Sequence, residues 1–158
     1  LAVYVAKSIP KSDVNVRDLN DYEMPIYSVD RENEGGIPDM AYKFREQFKN
    51  SDAIVISFAE HNASYTSAFK NIFDWISRID KNIWFNKPMF LLATSTGSNG
   101  ASIVLEVAFS RISRGNTNHI STFSLPNFND NFNENTGITN SKLKVIFESK
   151  LNEFISKM

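Results

Sequence analysis

The stretch that decides the fold reads Ala53-Ile54-Val55-Ile56-Ser57-Phe58, a short apolar run without alternation. A second run of this kind, Met89-Phe90-Leu91-Leu92-Ala93-Thr94, follows Pro88. Strands that helices cover on both faces read as continuous apolar runs, whereas strands with one exposed face alternate apolar and polar residues. Both runs therefore predict parallel strands buried between layers of helices.

Helical patterns surround these two strands. The spacing of apolar residues predicts helices over 2–8, 38–50, 67–79 and 101–114 and a last helix from about 140. Residues 14–19 and 119–125 predict two more strands, with loops over 21–36 and 127–137. Strict alternation of strand and helix favours a parallel sheet with helices on both faces. We therefore predict one α/β domain over residues 1–158.

The predicted element order lacks a leading strand. With one strand added before residue 1, the count becomes five strands, which is typical of a flavodoxin-like three-layer sandwich with the sheet order 2-1-3-4-5. The absent strand is the central one in that order. We therefore expect that the first strand of the sheet lies before Leu1.

Charge and composition exclude several classes of function. The 158 residues contain 17 basic and 18 acidic side chains, so the net charge of −1 gives no field that would attract nucleic acid or an anionic membrane. No apolar run approaches the ~18 residues of a membrane span. The chain has no cysteine, which excludes disulfides and thiolate nucleophiles and suits a reducing cytoplasm. We find no spacing of His, Asp and Glu that is typical of a metal site.

Two polar loops follow the two buried strands. The first reads Ala59-Glu60-His61-Asn62-Ala63-Ser64, and the second reads Ser95-Thr96-Gly97-Ser98-Asn99-Gly100-Ala101. Ligands of open parallel sheets bind beyond the carboxyl ends of the strands, so we expect the loops to lie side by side and to bind a flat or anionic ligand. The alternatives are helix capping by Asn62 or Ser64 in the first loop and a flexible turn in the second.

The first loop and the helix after it carry a resemblance to a known family. Residues 59–64, followed by Lys70-Asn71-Ile72-Phe73-Asp74-Trp75-Ile76-Ser77-Arg78, resemble the NADPH-dependent FMN reductase family. That family carries Pro-Glu-Tyr-Asn-(Gly/Ala)-Ser after its third strand and Lys-Asn-x-x-Asp-Trp-x-Ser-Arg on the next helix. The resemblance continues upstream to Leu19, Tyr22 and Pro25 and downstream to the second loop.

The resemblance implies a flavoenzyme that binds FMN and takes a hydride from NADH or NADPH. It places the FMN ring against two groups of residues: Glu60, His61, Asn62 and Ser64, and Ser95, Thr96, Gly97 and Gly100. No catalytic side chain is implied, because the flavin supplies the difficult chemistry. Trp75 and Asp74 are interpreted as structural, and His119 as a satisfied core histidine.

The loops depart from the family pattern at four positions. Ala59 and His61 replace a proline and a tyrosine, and Thr96 and Ala101 replace a proline and a glycine. His61 keeps a planar ring at the position of the family's tyrosine. The family's phosphate-binding loop has no counterpart in the sequence and would come immediately before residue 1.

The family resemblance predicts ping-pong reduction of a small acceptor: a quinone, a free flavin, an azo or nitro compound, or an oxyanion. A flavodoxin-type electron carrier is the alternative, although carriers of that type are strongly acidic and this chain has a net charge of only −1. A degenerate family member without catalytic activity is the third interpretation. The family also implies a homodimer or homotetramer.

Overall fold

The secondary structure follows the predicted alternation closely between residues 39 and 125. The structure is a computed structural model that describes residues 1–158. Its helices are α1 (Ala2–Ser8), α2 (Val29–Gly35), α3 (Asp39–Lys49), α4 (Ser67–Ile79), α5 (Ser102–Ile112), α6 (Phe128–Asn131) and α7 (Ser141–Ile155). Its strands are β1 (Ile54–Phe58), β2 (Glu60–His61), β3 (Ser64–Tyr65), β4 (Met89–Thr94), β5 (Ile120–Leu125), β6 (Phe132–Asn133) and β7 (Gly137–Ile138).

The main sheet has three parallel strands in the order β1-β4-β5. Phe58 pairs with Ala93, and Ala93 pairs with Ser124, so the three strands end at the same edge. The central strand β4 is buried from Met89 to Ala93, as expected for a strand with helices on both faces. No helix in the chain combines the length and the apolar character that crossing a bilayer requires.

Helices cover both faces of this sheet and enclose two cores. The larger core has 21 buried residues, drawn mainly from α3, α4, α5 and one face of the sheet, and it includes Trp75 and Trp84. The smaller core has 9 buried residues, among them Val5 of α1 and Phe147 and Phe154 of α7. The predicted α/β class, with a parallel sheet between two helical layers, is therefore confirmed.

The sequence predicts four parallel strands within these residues and a fifth before Leu1, whereas the parallel sheet has three. Residues 14–19 form no strand, and Val14 and Val16 are 41% and 60% exposed. Their alternating pattern has no neighbouring strand to pair with, and an isolated strand gains no ladder hydrogen bonds. The segment ends instead in a 3-10 helix, Leu19–Tyr22, which the side chain of Asp18 caps by accepting a hydrogen bond from the N–H of Asn20.

Two predicted loops contain secondary structure. Helix α2 lies within the 21–36 segment, because the Ser28 side chain accepts a hydrogen bond from the N–H of Arg31 and caps the helix. The 127–137 segment contains α6 and one strand of the β6–β7 hairpin. Within it, the rings of Phe128 and Phe132 stack with their centroids 4.9 Å apart and pack against the smaller core.

His119 lies just before β5 and is half-buried, not in the core as predicted. Its Nε2 atom lies 2.9 Å from the hydroxyl of the buried Ser121. The predicted hydrogen-bond satisfaction of this ring is therefore confirmed, and its full burial is wrong.

Candidate functional site

The two polar loops leave neighbouring strands at the carboxyl edge of the sheet. Residues 59–63 follow β1 and residues 95–101 follow β4, which pair in parallel. The Glu60 carboxylate accepts a hydrogen bond from the N–H of Val104 at 2.8 Å, so the first loop contacts the helix that follows the second. This contact agrees with the prediction that the two loops lie side by side.

The first loop is a hairpin and does not cap a helix. Glu60 pairs with Tyr65 and His61 pairs with Ser64, which leaves Asn62 and Ala63 as a two-residue turn. Both turn residues have positive φ, 51° and 58°, as a type I′ hairpin turn requires. The alternative of capping by Asn62 or Ser64 is wrong, because Thr66 caps α4 by accepting a hydrogen bond from the N–H of Phe69.

A groove of about 390 Å³ runs along this hairpin and the first turn of α4. It is lined by His61, Asn62, Ser64, Tyr65, Ser67 and Lys70. Burial raises the pKa of Tyr65 above its ordinary value, and the positive charges of Arg111 and Lys70 act in the opposite direction. The Tyr65 phenol therefore stays protonated at neutral pH and can donate a hydrogen bond.

Three of the groove residues, Tyr65, Ser67 and Lys70, were not among the predicted site residues. Their position in the sequence could have indicated them. Ser67 and Lys70 lie in the first turn of α4, which begins two residues after the hairpin, and their spacing of three residues places them on one side of the helix.

The second loop is held by hydrogen bonds to the end of β5 and the start of α6. The N–H groups of Asn127 and Phe128 donate to the carbonyl oxygens of Gly97 and Ser95, at 2.9 and 3.0 Å. The Ser124 hydroxyl donates to the carbonyl oxygen of Gly100 at 2.8 Å. These bonds hold the loop on both sides of its tip and favour a positioned loop over the alternative of a flexible turn.

Gly100 lies where no side chain fits. Its φ is +59°, and an added Cβ atom would lie 2.4 Å from the Ser124 Oγ, 2.8 Å from the Pro126 nitrogen and 3.0 Å from the Leu125 carbonyl carbon. The glycine therefore allows the loop to pack directly on the end of β5.

Several backbone N–H groups of the two loops have no hydrogen-bond partner. They belong to the exposed residues Thr96, Gly97, Ser98 and Asn99 of the second loop and to Asn62 and Ala63 of the hairpin turn. Unpaired donors at the strand ends can bind the acceptor atoms of a ligand. The structure thus places all eight predicted site residues on the two loops at this edge, and six free donors with them.

The motif on α4 has a structural role. The Asn71 side chain accepts a hydrogen bond from the N–H of Tyr27 and donates to the carbonyl oxygens of Met24 and Pro25, at 2.8, 3.1 and 3.2 Å. The indole N–H of Trp75 also donates to the Pro25 carbonyl, at 2.7 Å. Trp75 is 1% exposed, which confirms its interpretation as a packing residue.

Asp74 forms an ion pair with Lys70, one helical turn away, at 2.7 Å. Both side chains are on α4, and the pair is partly exposed, so it adds only a few tenths of a kcal/mol to helix stability. The interpretation of Asp74 as structural agrees with this contact.

The chain belongs to the NADPH-dependent FMN reductase family, whose family model matches residues 1–130. It is similar to an NADPH:quinone oxidoreductase of Arabidopsis thaliana, with 30% identity over 94 residues that make up 60% of this chain and 46% of that protein. It is also similar to a 2-hydroxy-1,4-benzoquinone reductase of Burkholderia sp, with 31% identity over 97 residues, or 61% of this chain and 52% of that protein. The chain spans about half the length of the curated relatives it matches.

A solved structure supports the fold. FerB, a flavoenzyme NAD(P)H:(acceptor) oxidoreductase from Paracoccus denitrificans, superposes with a TM-score of 0.72 at 20% sequence identity. The match covers 98% of this chain and 86% of that chain. At this level of identity the likeness concerns the arrangement of helices and strands alone.

Proposed function

We propose that the protein is an NAD(P)H-dependent FMN oxidoreductase that reduces a small acceptor such as a quinone. Membership of the family supports the flavin and the hydride donor. The names of two similar proteins, a quinone oxidoreductase and a benzoquinone reductase, support the class of acceptor. The observation that carries the proposal is the set of unpaired N–H donors on two adjacent loops at the carboxyl edge of the sheet.

The residues at this edge fit the ring end of FMN. The edge of the isoalloxazine ring presents carbonyl oxygens and ring nitrogens, which need donors, and the loops offer six free N–H groups. In the FMN-free protein these N–H groups face solvent, and a flavin ring that binds there replaces the water molecules that they bind. Glu60, His61, Asn62 and Ser64 would hold the ring from the hairpin, and Ser95, Thr96, Gly97 and Gly100 from the second loop.

The hydride chemistry of the reaction is supplied by FMN when it is bound. The chain contributes binding and orientation: the loops donate hydrogen bonds, and the packed end of β5 keeps the second loop in place. The groove beside the hairpin, about 390 Å³, is within the size range of small-molecule sites and is our proposed position for the acceptor.

The test is an absorbance spectrum and an FMN titration of the purified full-length protein, followed by anaerobic addition of NADPH. We expect a bound flavin that NADPH bleaches and that a quinone then reoxidises. A protein that takes up no FMN would contradict the proposal. A flavin that bleaches with dithionite but not with NADPH would favour an electron carrier.

Three further statements are part of this proposal. A homodimer or homotetramer is inferred from the family alone. A cytoplasmic location is inferred because the chain contains no cysteine and so depends on no disulfide. The order 2-1-3-4-5 needs two further parallel strands beyond the free edge of β1, and it stays a prediction.

A further inference from the structure

Glu60 provides the missing cap of a helix that lies far from it in the sequence. Its carboxylate accepts the hydrogen bond from Val104, 44 residues further along the chain. Val104 is the third residue of α5, and the N-cap position of this helix is Ala101, whose side chain cannot accept a hydrogen bond. The first turn of a helix leaves N–H groups without partners, and a carboxylate beside them is stabilising.

The start of α5 also fixes the end of the second loop. Gly100 and Ala101 both have a φ of 59°, and the N–H of Ser102 donates to the carbonyl oxygen of Asn99 at 3.0 Å. The four exposed donors at 96–99 therefore lie between two anchors. One anchor is the end of β5, and the other is the first turn of α5, which Glu60 holds.

The same side chain belongs to the hairpin that carries the other free donors. Glu60 is in β2, two residues before Asn62 in the turn. A single carboxylate thus connects the hairpin to the helix that ends the second loop. Without this bond, nothing polar links the first turn of α5 to the hairpin, because the hydrogen bonds of the second loop run to β5 instead.

We propose that Glu60 is a positioning residue, which holds the donors of the hairpin and of the second loop in one frame so that both sets bind the same flavin ring. The carboxylate of Glu60 acts through the N–H of Val104 and does not itself touch the ring, so the contact of Glu60 with the ring would be through its backbone. This inference rests on the proposed binding of FMN and adds to it the group that aligns the two halves of the ring site.

The main test compares Glu60→Ala with Glu60→Gln in the full-length protein. The alanine variant loses the acceptor, and we expect its dissociation constant for FMN to rise about tenfold, the loss expected for one hydrogen bond to a charged group. The glutamine variant keeps a side-chain oxygen that can accept from Val104, so its dissociation constant should stay within about threefold of the wild type. We also expect the visible absorption bands of bound FMN to change shape in Glu60→Ala only.

The control for a general loss of stability is Asn116→Ala. Asn116 is buried and donates to the carbonyl oxygen of Lys87 at 2.8 Å, just before β4 begins and therefore at the opposite edge of the sheet. Its replacement should lower the thermal stability without changing the affinity for FMN. An equal loss of affinity in Asn116→Ala and Glu60→Ala would overturn the positioning role.

Hydrogen exchange in the FMN-free protein distinguishes positioning from direct contact with the flavin. We expect the hydrogen-bonded amides of Gly100, Ser102 and Val104 to exchange faster in Glu60→Ala than in the wild type. Unchanged exchange together with weakened FMN binding would mean that the Glu60 carboxylate touches the ring directly, which overturns the inference but leaves the proposed function intact. A wild-type protein that binds no FMN would overturn the proposed function, and the exchange measurement would still decide whether Glu60 orders the second loop.

Discussion

The hairpin at 60–65 and the loop at 95–101 follow paired strands and end at the same edge of the sheet, but they are fixed in different ways. The loop accepts three hydrogen bonds, one from Ser124 of β5 and two from Asn127 and Phe128 at the start of α6. Its Gly100 packs against the end of β5 with no room for a side chain. The hairpin turn has exposed residues at its tip, and outside its own strands its one polar link to the main fold is the carboxylate of Glu60.

This difference indicates where the site can tolerate change. A substitution in the loop that disturbs Gly100 displaces the end of a core strand, so it affects the stability of the whole domain. A substitution at the tip of the hairpin changes the surface that a ligand meets and little else. The replacement of the family's tyrosine by His61 falls at the tolerant position.

The largest expected effect is that of Gly100→Ala. The new Cβ atom would lie within 3.0 Å of three atoms, two of them backbone, at a φ of +59°. We expect a loss of about 3 kcal/mol of unfolding free energy, from overpacking and from the left-handed backbone. Urea denaturation measures it.

Gly97→Ala is the control within the same loop. Its added Cβ would have the Ser95 Oγ as nearest atom, at 3.8 Å, which is an ordinary contact. The unfolding free energy should change by less than about 1 kcal/mol. Similar losses for both variants would contradict the difference drawn between Gly100 and the tip of its loop.

Ser124→Ala sharpens this prediction. Alone, it removes the hydrogen bond to the Gly100 carbonyl and should cost about 1 kcal/mol. In combination with Gly100→Ala it removes the closest clash. The double variant should therefore lose about 1 kcal/mol less unfolding free energy than the sum of the two single losses. Full recovery is not expected, since the Pro126 nitrogen and the Leu125 carbon would still lie 2.8 and 3.0 Å from the new atom. A double-mutant cycle in urea tests this, and strict additivity would contradict it.

Ala63→Gly should stabilise the protein slightly. Ala63 has a φ of 58°, which costs an L-residue about 1 kcal/mol or more, and glycine removes that cost. The greater freedom of glycine in the unfolded chain offsets part of the gain, so we expect a net gain of about 0.5 kcal/mol and a rise of one or two degrees in the melting temperature.

The matched control is Ala68→Gly, the same substitution at an exposed position of α4. Glycine is unfavourable in a helix, so this variant should lose about 0.5–1 kcal/mol. The two changes in melting temperature should therefore have opposite signs. A loss of stability in both variants would mean that the hairpin turn does not strain Ala63.

The smallest effect on stability is expected for His61→Tyr. The His61 side chain is exposed, so the unfolding free energy should change by less than about 0.5 kcal/mol. A calorimetric scan without ligand checks this. A large shift in the melting temperature would show that the tip of the hairpin is coupled to the core. A change in FMN affinity without such a shift would mean that residue 61 contacts the ligand.

The sequence predicts elements well where local patterns decide them. Helix α4 begins and ends at the predicted residues 67 and 79, and β4 spans the predicted 89–94. The strand predicted over residues 14–19 is absent, because an alternating pattern alone does not supply a neighbouring strand to pair with. Helix α2 was missed because its apolar content is low, and its one signal was the capping Ser28.

The candidate site was predictable in its residues but not in its geometry. Strand ends followed by polar loops indicated both groups of residues. The hairpin was not readable, because Asn62-Ala63 lacks the glycine that favours a type I′ turn. The bond from Glu60 to Val104 joins residues 44 positions apart and uses a backbone N–H, so no side-chain pattern marks it.

The side chains of Asn71 and Trp75 hold the segment before α2 through hydrogen bonds to its backbone. Both side chains donate to carbonyl oxygens, and Asn71 also accepts from the N–H of Tyr27. Peptide groups are the same for nearly every amino acid. The path of this segment therefore does not depend on the side chains of Pro25 and Ile26, which are exposed. For protein engineering, these two positions can be replaced, whereas Met24 and Tyr27 pack against the larger core and have to be kept.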